Sequence, residues 1–227
     1  MPHLPVSLWL SITALGSVGV MIPLALATGV WLGIGYPRKY AFGWLALLGA
    51  GCGLVFLSKI AFIGWGVGLR GWDFTGISGH AMAATAVLPV ALFVALLPAR
   101  GAIRASGVAF GIVAGVVIGV SRVVLHAHSV SEVVAGCALG AAVAIAFARL
   151  AWRAEPGRIA PAPVAASLAV VAITLHGVPV PTQQWITQIA LGLSGHERPF
   201  VRARWKAGHH DAPMQRTEAP APHSTAA

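Results

Sequence analysis

The sequence predicts an all-α protein, a polytopic membrane bundle of about six transmembrane helices. Three observations predict it. Of the 227 residues, 57% are hydrophobic and only 9% are charged, and the mean hydropathy of +0.81 belongs to lipid-embedded chains rather than soluble domains. Apolar runs of spanning length recur along the chain, separated by short turns. Lys and Arg gather in every second turn, which is the charge signature of membrane topology.

Residues 6 to about 35 are apolar for longer than one span requires, and Pro23 is expected to interrupt them, leaving a short interfacial helix and a first transmembrane helix. Tyr36-Pro37-Arg38-Lys39 makes a basic turn, and a second span runs from about 41 to 58, ended by Lys59. Gly64, Gly66, Gly68, Gly71 and Gly76 make the next stretch a poor helix. That stretch also carries Trp65, Arg70, Trp72 and Asp73, the aromatic and polar mixture of a bilayer interface. A third span covers about 80 to 97, and Arg100 and Arg104 flank the second basic turn. The fourth and fifth spans cover about 105 to 121 and 130 to 150, followed by a patch of Arg149, Arg153 and Arg158. A shorter run from about 163 to 179, bounded by prolines, makes the sixth. Residues 1–206 form one membrane-embedded domain, and 207–227, rich in Ala, Pro, His and Thr, form a disordered tail.

The formal charge of +9 lies in patches suited to anionic headgroups, so membrane lipids rather than nucleic acid are the expected surroundings. Cys52 and Cys137 sit singly in apolar runs, which indicates packing rather than a disulfide or a zinc site. No positively charged leader precedes the first apolar run, the first basic side chain being Arg38. The positive-inside rule puts the three basic patches in the cytoplasm and the loops at 59–78 and 122–129 together on the opposite face. In a bacterial inner membrane that face is the periplasm. The sequence leaves the oligomeric state open.

Those two loops carry most of the chemistry: Lys59, Arg70, Ser78, Gly79 and His80 in the first, and Arg122, His126, His128 and Glu132 in and after the second. Ionisable groups at membrane depth are costly, which makes their concentration a functional signal. Cations and a helix N-terminus at Ser78 can hold phosphoryl oxygens, one imidazole can attack phosphorus, and another can protonate the leaving oxygen. Glu132, four residues from His128 on one helical face, can orient it. Structural roles compete: Ser78 as a helix cap, Ser129-x-x-Glu132 as a capping box, and His126 as a rim residue. Two other functions also compete. One is a metal-dependent hydrolase with His80, His126, His128 and Glu132 as ligands, and the other is a transporter lined by the cluster.

Ser78-Gly79-His80 followed by Ser121-Arg122-x5-His128-x3-Glu132 resembles the second and third signatures of the type 2 phosphatidic acid phosphatase family, over roughly residues 41 to 150. That family's pattern is K-x6-R-P, then P-S-G-H, then S-R-x5-H-x3-D. The resemblance implies a membrane lipid phosphatase of the acid phosphatase and vanadium haloperoxidase superfamily, with no metal and no other cofactor. Its substrate would be a lipid phosphate or pyrophosphate, cleaved through a phosphohistidine. His128 would be the nucleophile and His80 the general acid, with Lys59, Arg122, Ser78 and Gly79 binding phosphate. Glu132 replaces the family's Asp and Ile77 its Pro, while Gly66 and Val67 stand where Arg-Pro would follow Lys59. Arg70 and Arg198 are the candidates for the missing cation, the latter within Glu197-Arg198-Pro199 after a second tripeptide, Ser194-Gly195-His196. That late copy is expected to be non-catalytic.

Overall fold

The computed structural model describes residues 5–154, 160–178 and 180–206, and among these its helices are joined by turns and loops, without strands. Arg158 of the third basic patch and the tail from 207 lie outside the described residues. The first apolar run gives α1 (Val6–Leu15) and α2 (Val18–Gly35). The break falls at Gly16-Ser17 and not at Pro23, which lies inside α2. The reason is steric: a Cβ at Gly16 would overlap Ile118 on a neighbouring helix, so the chain turns where it has no side chain. Pro23 forfeits one hydrogen bond near the start of a helix, which membrane helices tolerate.

Helix α3 (Arg38–Trp65) runs through Lys59 for almost two further turns. The ammonium does not end the helix because Gln183 accepts from its Nζ at 3.3 Å. What ends it is Gly66, at φ 68°, a left-handed position that favours glycine. After a 3-10 turn at Arg70–Trp72 come α4 (Gly79–Ala95), α5 (Gly101–Val124) and α6 (Val130–Ala151), joined by short turns. Helix α7 (Pro161–Thr174) packs on α2, where Trp31 Nε1 donates to Ser167 Oγ at 2.8 Å. Helix α8 (Thr182–Ser194) and the short α9 (Arg202–Lys206) cover the far end of α3.

Four stretches are long and apolar enough to cross a membrane, namely Val6–Gly35 and helices α3, α5 and α6, so the protein is a membrane protein. Helix α4 is shorter but central: 13 of its 17 residues are buried, against nine of 28 in α3, so α4 faces protein where α3 faces lipid. Glycines make that possible. Gly107, Gly111, Gly115 and Gly119 recur every fourth residue on α5, and Gly136 and Gly140 do so on α6. A Cβ at Gly111 would lie 2.5 Å from Pro89 Cα, and one at Gly136 would lie 2.6 Å from the Ser78 carbonyl oxygen. Both helices thus press their backbones onto α4, the packing that small residues allow without a hydrophobic drive between helices.

The two ends differ in kind. Arg104 donates to the Trp152 carbonyl at 3.0 Å and lies over its ring, and Gly43 sits against Leu150, which gathers the basic starts of α3 and α5 with the end of α6. The opposite end holds the loops of the polar cluster.

Because a side chain at Gly140 would run into the Met82 carbonyl and the Thr85 hydroxyl, Gly140→Val is expected to cost about 3 kcal/mol. Gly49→Ala, with nothing within 4 Å, should be neutral or stabilise by up to ~1 kcal/mol. Melting temperatures of the purified proteins in detergent check the contrast.

Candidate active site

The site is built around a carboxylate. Glu132 opens α6 as the third residue of a capping box, its N–H donating to Ser129 Oγ at 3.4 Å and its Oε2 accepting from the Ser129 N–H at 3.2 Å. Capping alone would leave the carboxylate exposed, but its side chain is 0% exposed. Oε1 accepts from the Thr75 N–H at 2.8 Å and from the Thr75 hydroxyl at 2.5 Å. Oε2 faces His128 Nδ1 at 2.7 Å and Arg202 Nη2 at 2.5 Å. The cap and the hydrogen bond to His128 coincide in one residue. The first shapes the helix start, and the second occupies the charge.

The five residues between Arg122 and His128 have a backbone reason. Helix α5 ends with the His126 N–H on the Val123 carbonyl at 2.9 Å and the Ala127 N–H on the Arg122 carbonyl at 2.9 Å, a Schellman termination. His126 takes the left-handed position at φ 55°, where glycine is usual. The His128 N–H also reaches the Arg122 carbonyl, at 3.2 Å. One carbonyl therefore sets the distance between the guanidinium and the imidazole.

The start of α4 is clamped from both sides. Ser58 Oγ accepts from the Ile77 N–H at 3.0 Å, and the Glu132 carbonyl accepts from the Ser78 N–H at 3.1 Å. Gly76 lies against the Lys59 backbone at φ 143°, a conformation that strains any residue with a side chain. Ser78 is the N-cap of α4, yet its hydroxyl makes no cap bond and has no partner among the described residues. The leading N–H groups of α4 have no acceptor within the helix and carry its positive pole.

A cavity of about 1170 Å³ connects these parts. Lys59, Gly79, His80, Arg122, His126, His128, Thr75 and Arg202 line its polar end, and Val18, Ile22, Cys52, Val55, Phe56 and Ile186 its apolar wall. Arg122 is held by Thr13, whose hydroxyl accepts from Nη1 at 3.0 Å, while its Nε has no partner among the described residues. Among the described residues, no three His, Cys, Asp or Glu side chains converge as a metal-ligand set.

Arg70 and Arg198 do not line the cavity. Arg70 lies over the Trp205 ring at 5.5 Å. The cation that does enter is Arg202, which the motifs in the sequence do not single out. Its signal was Trp205, an aromatic among basic residues: Trp205 is 3% exposed and packs edge-on to Phe62, 5.4 Å away, which seats α9 beside the site. The late tripeptide also resolves. Gly195 ends α8 in the left-handed conformation, and His196 Nδ1 bonds the Gly64 carbonyl at 2.8 Å, capping α3. The same three residues begin α4 and finish α8.

A model of the PAP2 superfamily matches residues 56–156. A Klebsiella pneumoniae protein named as an uncharacterized 22.5 kDa protein in cps region is 39% identical over 201 residues, covering 86% of this chain and 95% of its own length. No solved structure matches.

With both oxygens of Glu132 serving as acceptors, Glu132→Gln presents an amide donor to other donors and takes from Arg202 its nearest carboxylate. It should therefore cost about 3 kcal/mol or more, whereas Ser129→Ala, which removes only a cap, costs about 1 kcal/mol. Denaturant unfolding in detergent compares the two.

Proposed function

Since the chain belongs to the PAP2 superfamily, a family of phosphatases, we propose that it removes a phosphate, from a monoester or the end of a pyrophosphate, from a membrane lipid. The observation that carries the lipid is the cavity. Its polar end at Lys59 continues to Cys52, two turns away on α3 and about 10 Å along the axis. A charged headgroup and the first part of a hydrocarbon chain fit such a space together, while a water-soluble phosphate ester would leave the apolar wall unused.

In this reading Lys59 and Arg122 neutralise the phosphoryl oxygens while the Ser78 hydroxyl and the Gly79 N–H donate hydrogen bonds to them, so that the protein supplies the charge the transition state requires. His128 donates its Nδ1 hydrogen to Glu132 Oε2 and turns the Nε2 lone pair to the cavity. Nε2 attacks phosphorus, the bond to the leaving oxygen breaks, and His80 hands that oxygen a proton. The N–P bond of the phosphohistidine is then cleaved by a water that gives its proton back to His80, releasing inorganic phosphate. The basic patches at the other end favour a bacterial inner membrane with the site in the periplasm.

Phosphate release from a panel of phosphatidic acid, phosphatidylglycerophosphate, undecaprenyl pyrophosphate and lipid A tests the reading, and no release from any of them would defeat it. His128→Asn should insert and fold but lose turnover by at least ~10³-fold, and the parent should yield an acid-labile phosphoenzyme on rapid quenching. Turnover should survive EDTA, because side-chain cations supply the charge. Loss in EDTA with recovery in zinc or magnesium would favour the metal-dependent alternative.

A further inference from the structure

Arg202 has no place in the reaction above, yet it is built into the site. Its Nη2 contacts Glu132 Oε2 at 2.5 Å and also donates to Thr75 Oγ1 at 3.0 Å, while its Nε lies 3.8 Å from Asp73 Oδ1. The segment that delivers it is fastened to α3, through the Phe200 N–H on the Ile63 carbonyl at 2.9 Å and through Trp205 against Phe62. Glu132 Oε2 is thus shared between a guanidinium and the imidazole that the proposed mechanism uses as nucleophile.

We infer that Arg202 is a positioning residue that acts through Glu132, holding the carboxylate on His128 while withdrawing part of its negative charge from the imidazole. The inference rests on the proposed reaction. A carboxylate that faces only an imidazole favours the imidazolium, in which both ring nitrogens carry hydrogen and Nε2 has no lone pair to attack with. A guanidinium on the same oxygen opposes that, so Glu132 can orient the ring without trapping it in its protonated form. The other ionisable groups facing His128 are Lys59 from α3, His80 from α4, Arg122 from the end of α5, and His126 in its own turn. Asp73, on the loop beside Arg202, is the other acid. Removing Arg202 leaves these cations in place and takes one positive charge from beside both acids, so its effects through Glu132 and Asp73 act with the same sign.

Arg202→Gln is expected to move the acidic limb of the kcat/KM pH profile upward by about one pH unit, which is about tenfold lower activity on that limb, with recovery at alkaline pH. Arg202→Lys, which keeps the charge, should stay near the parent profile. Arg204→Gln, at an exposed position on the same helix, should change nothing. Arg202→Met keeps the aliphatic stem and replaces the Gln variant if that one fails to fold. A KM raised at every pH with an unmoved limb would make Arg202 a substrate ligand and overturn the inference. A uniform loss in the Gln and Lys variants alike would make it structural only, and overturn it equally. NMR titration of the His128 ring in micelles needs no substrate: a midpoint that does not rise in Arg202→Gln overturns the inference, even if the parent hydrolyses nothing on the panel and the proposed function fails separately.

Discussion

The buried carboxylate of Glu132 is the constraint on which the polar end of the protein depends. Taking a carboxylate out of water costs several kcal/mol unless donors replace the lost solvent. Here those donors come from three separate parts of the chain: Thr75 before α4, His128 and Ser129 before α6, and Arg202 near the end of the described chain. The backbone carbonyl of the same residue holds the Ser78 N–H. Each segment is therefore required by the others, and none can leave without exposing a charge. That reciprocity allows a few irregular loops at a membrane interface to hold one geometry.

Such a hub needs its helices at a fixed spacing, and the glycines provide it. Gly136 lies on α6 one turn after Glu132 and touches the Ser78 carbonyl region, so the close approach of α6 to α4 and the bond between Glu132 and Ser78 are one contact seen from two sides. Widening that approach by a methyl group would draw His80 and Gly79 away from His128 before any functional side chain had changed. Fold and site are coupled at the glycine stripe.

Much of this was legible in the chain itself. The apolar runs gave the helices, and the interval between Arg122 and His128 corresponds to a helix end whose bonds span that number of residues. Lys59 was less transparent, because a cation in an apolar run ends a helix only if it has nowhere to go, and Gln183, 124 residues later, gives it a place. Pro23 misled for a related reason. A proline weakens a helix locally, whereas the actual break at Gly16 follows from the position of Ile118 on a distant helix. Partners far apart in sequence leave no local pattern.

The choice among Arg70, Arg198 and Arg202 illustrates the limit most sharply. By sequence, Arg198 carries the better motif, since a proline follows it, and Arg70 is nearer to Lys59. Neither property brings its arginine to the cavity lining. What decides the matter is burial of an indole: Trp205 fills the space beside Phe62 and Gly68, Arg70 covers its face, and Arg202, three residues before it on α9, is carried one helical turn away toward Glu132. A hydrophobic anchor thus selects which cation meets the carboxylate. The same anchor explains why the C-terminal segment belongs to the site although the matched family region ends at residue 156.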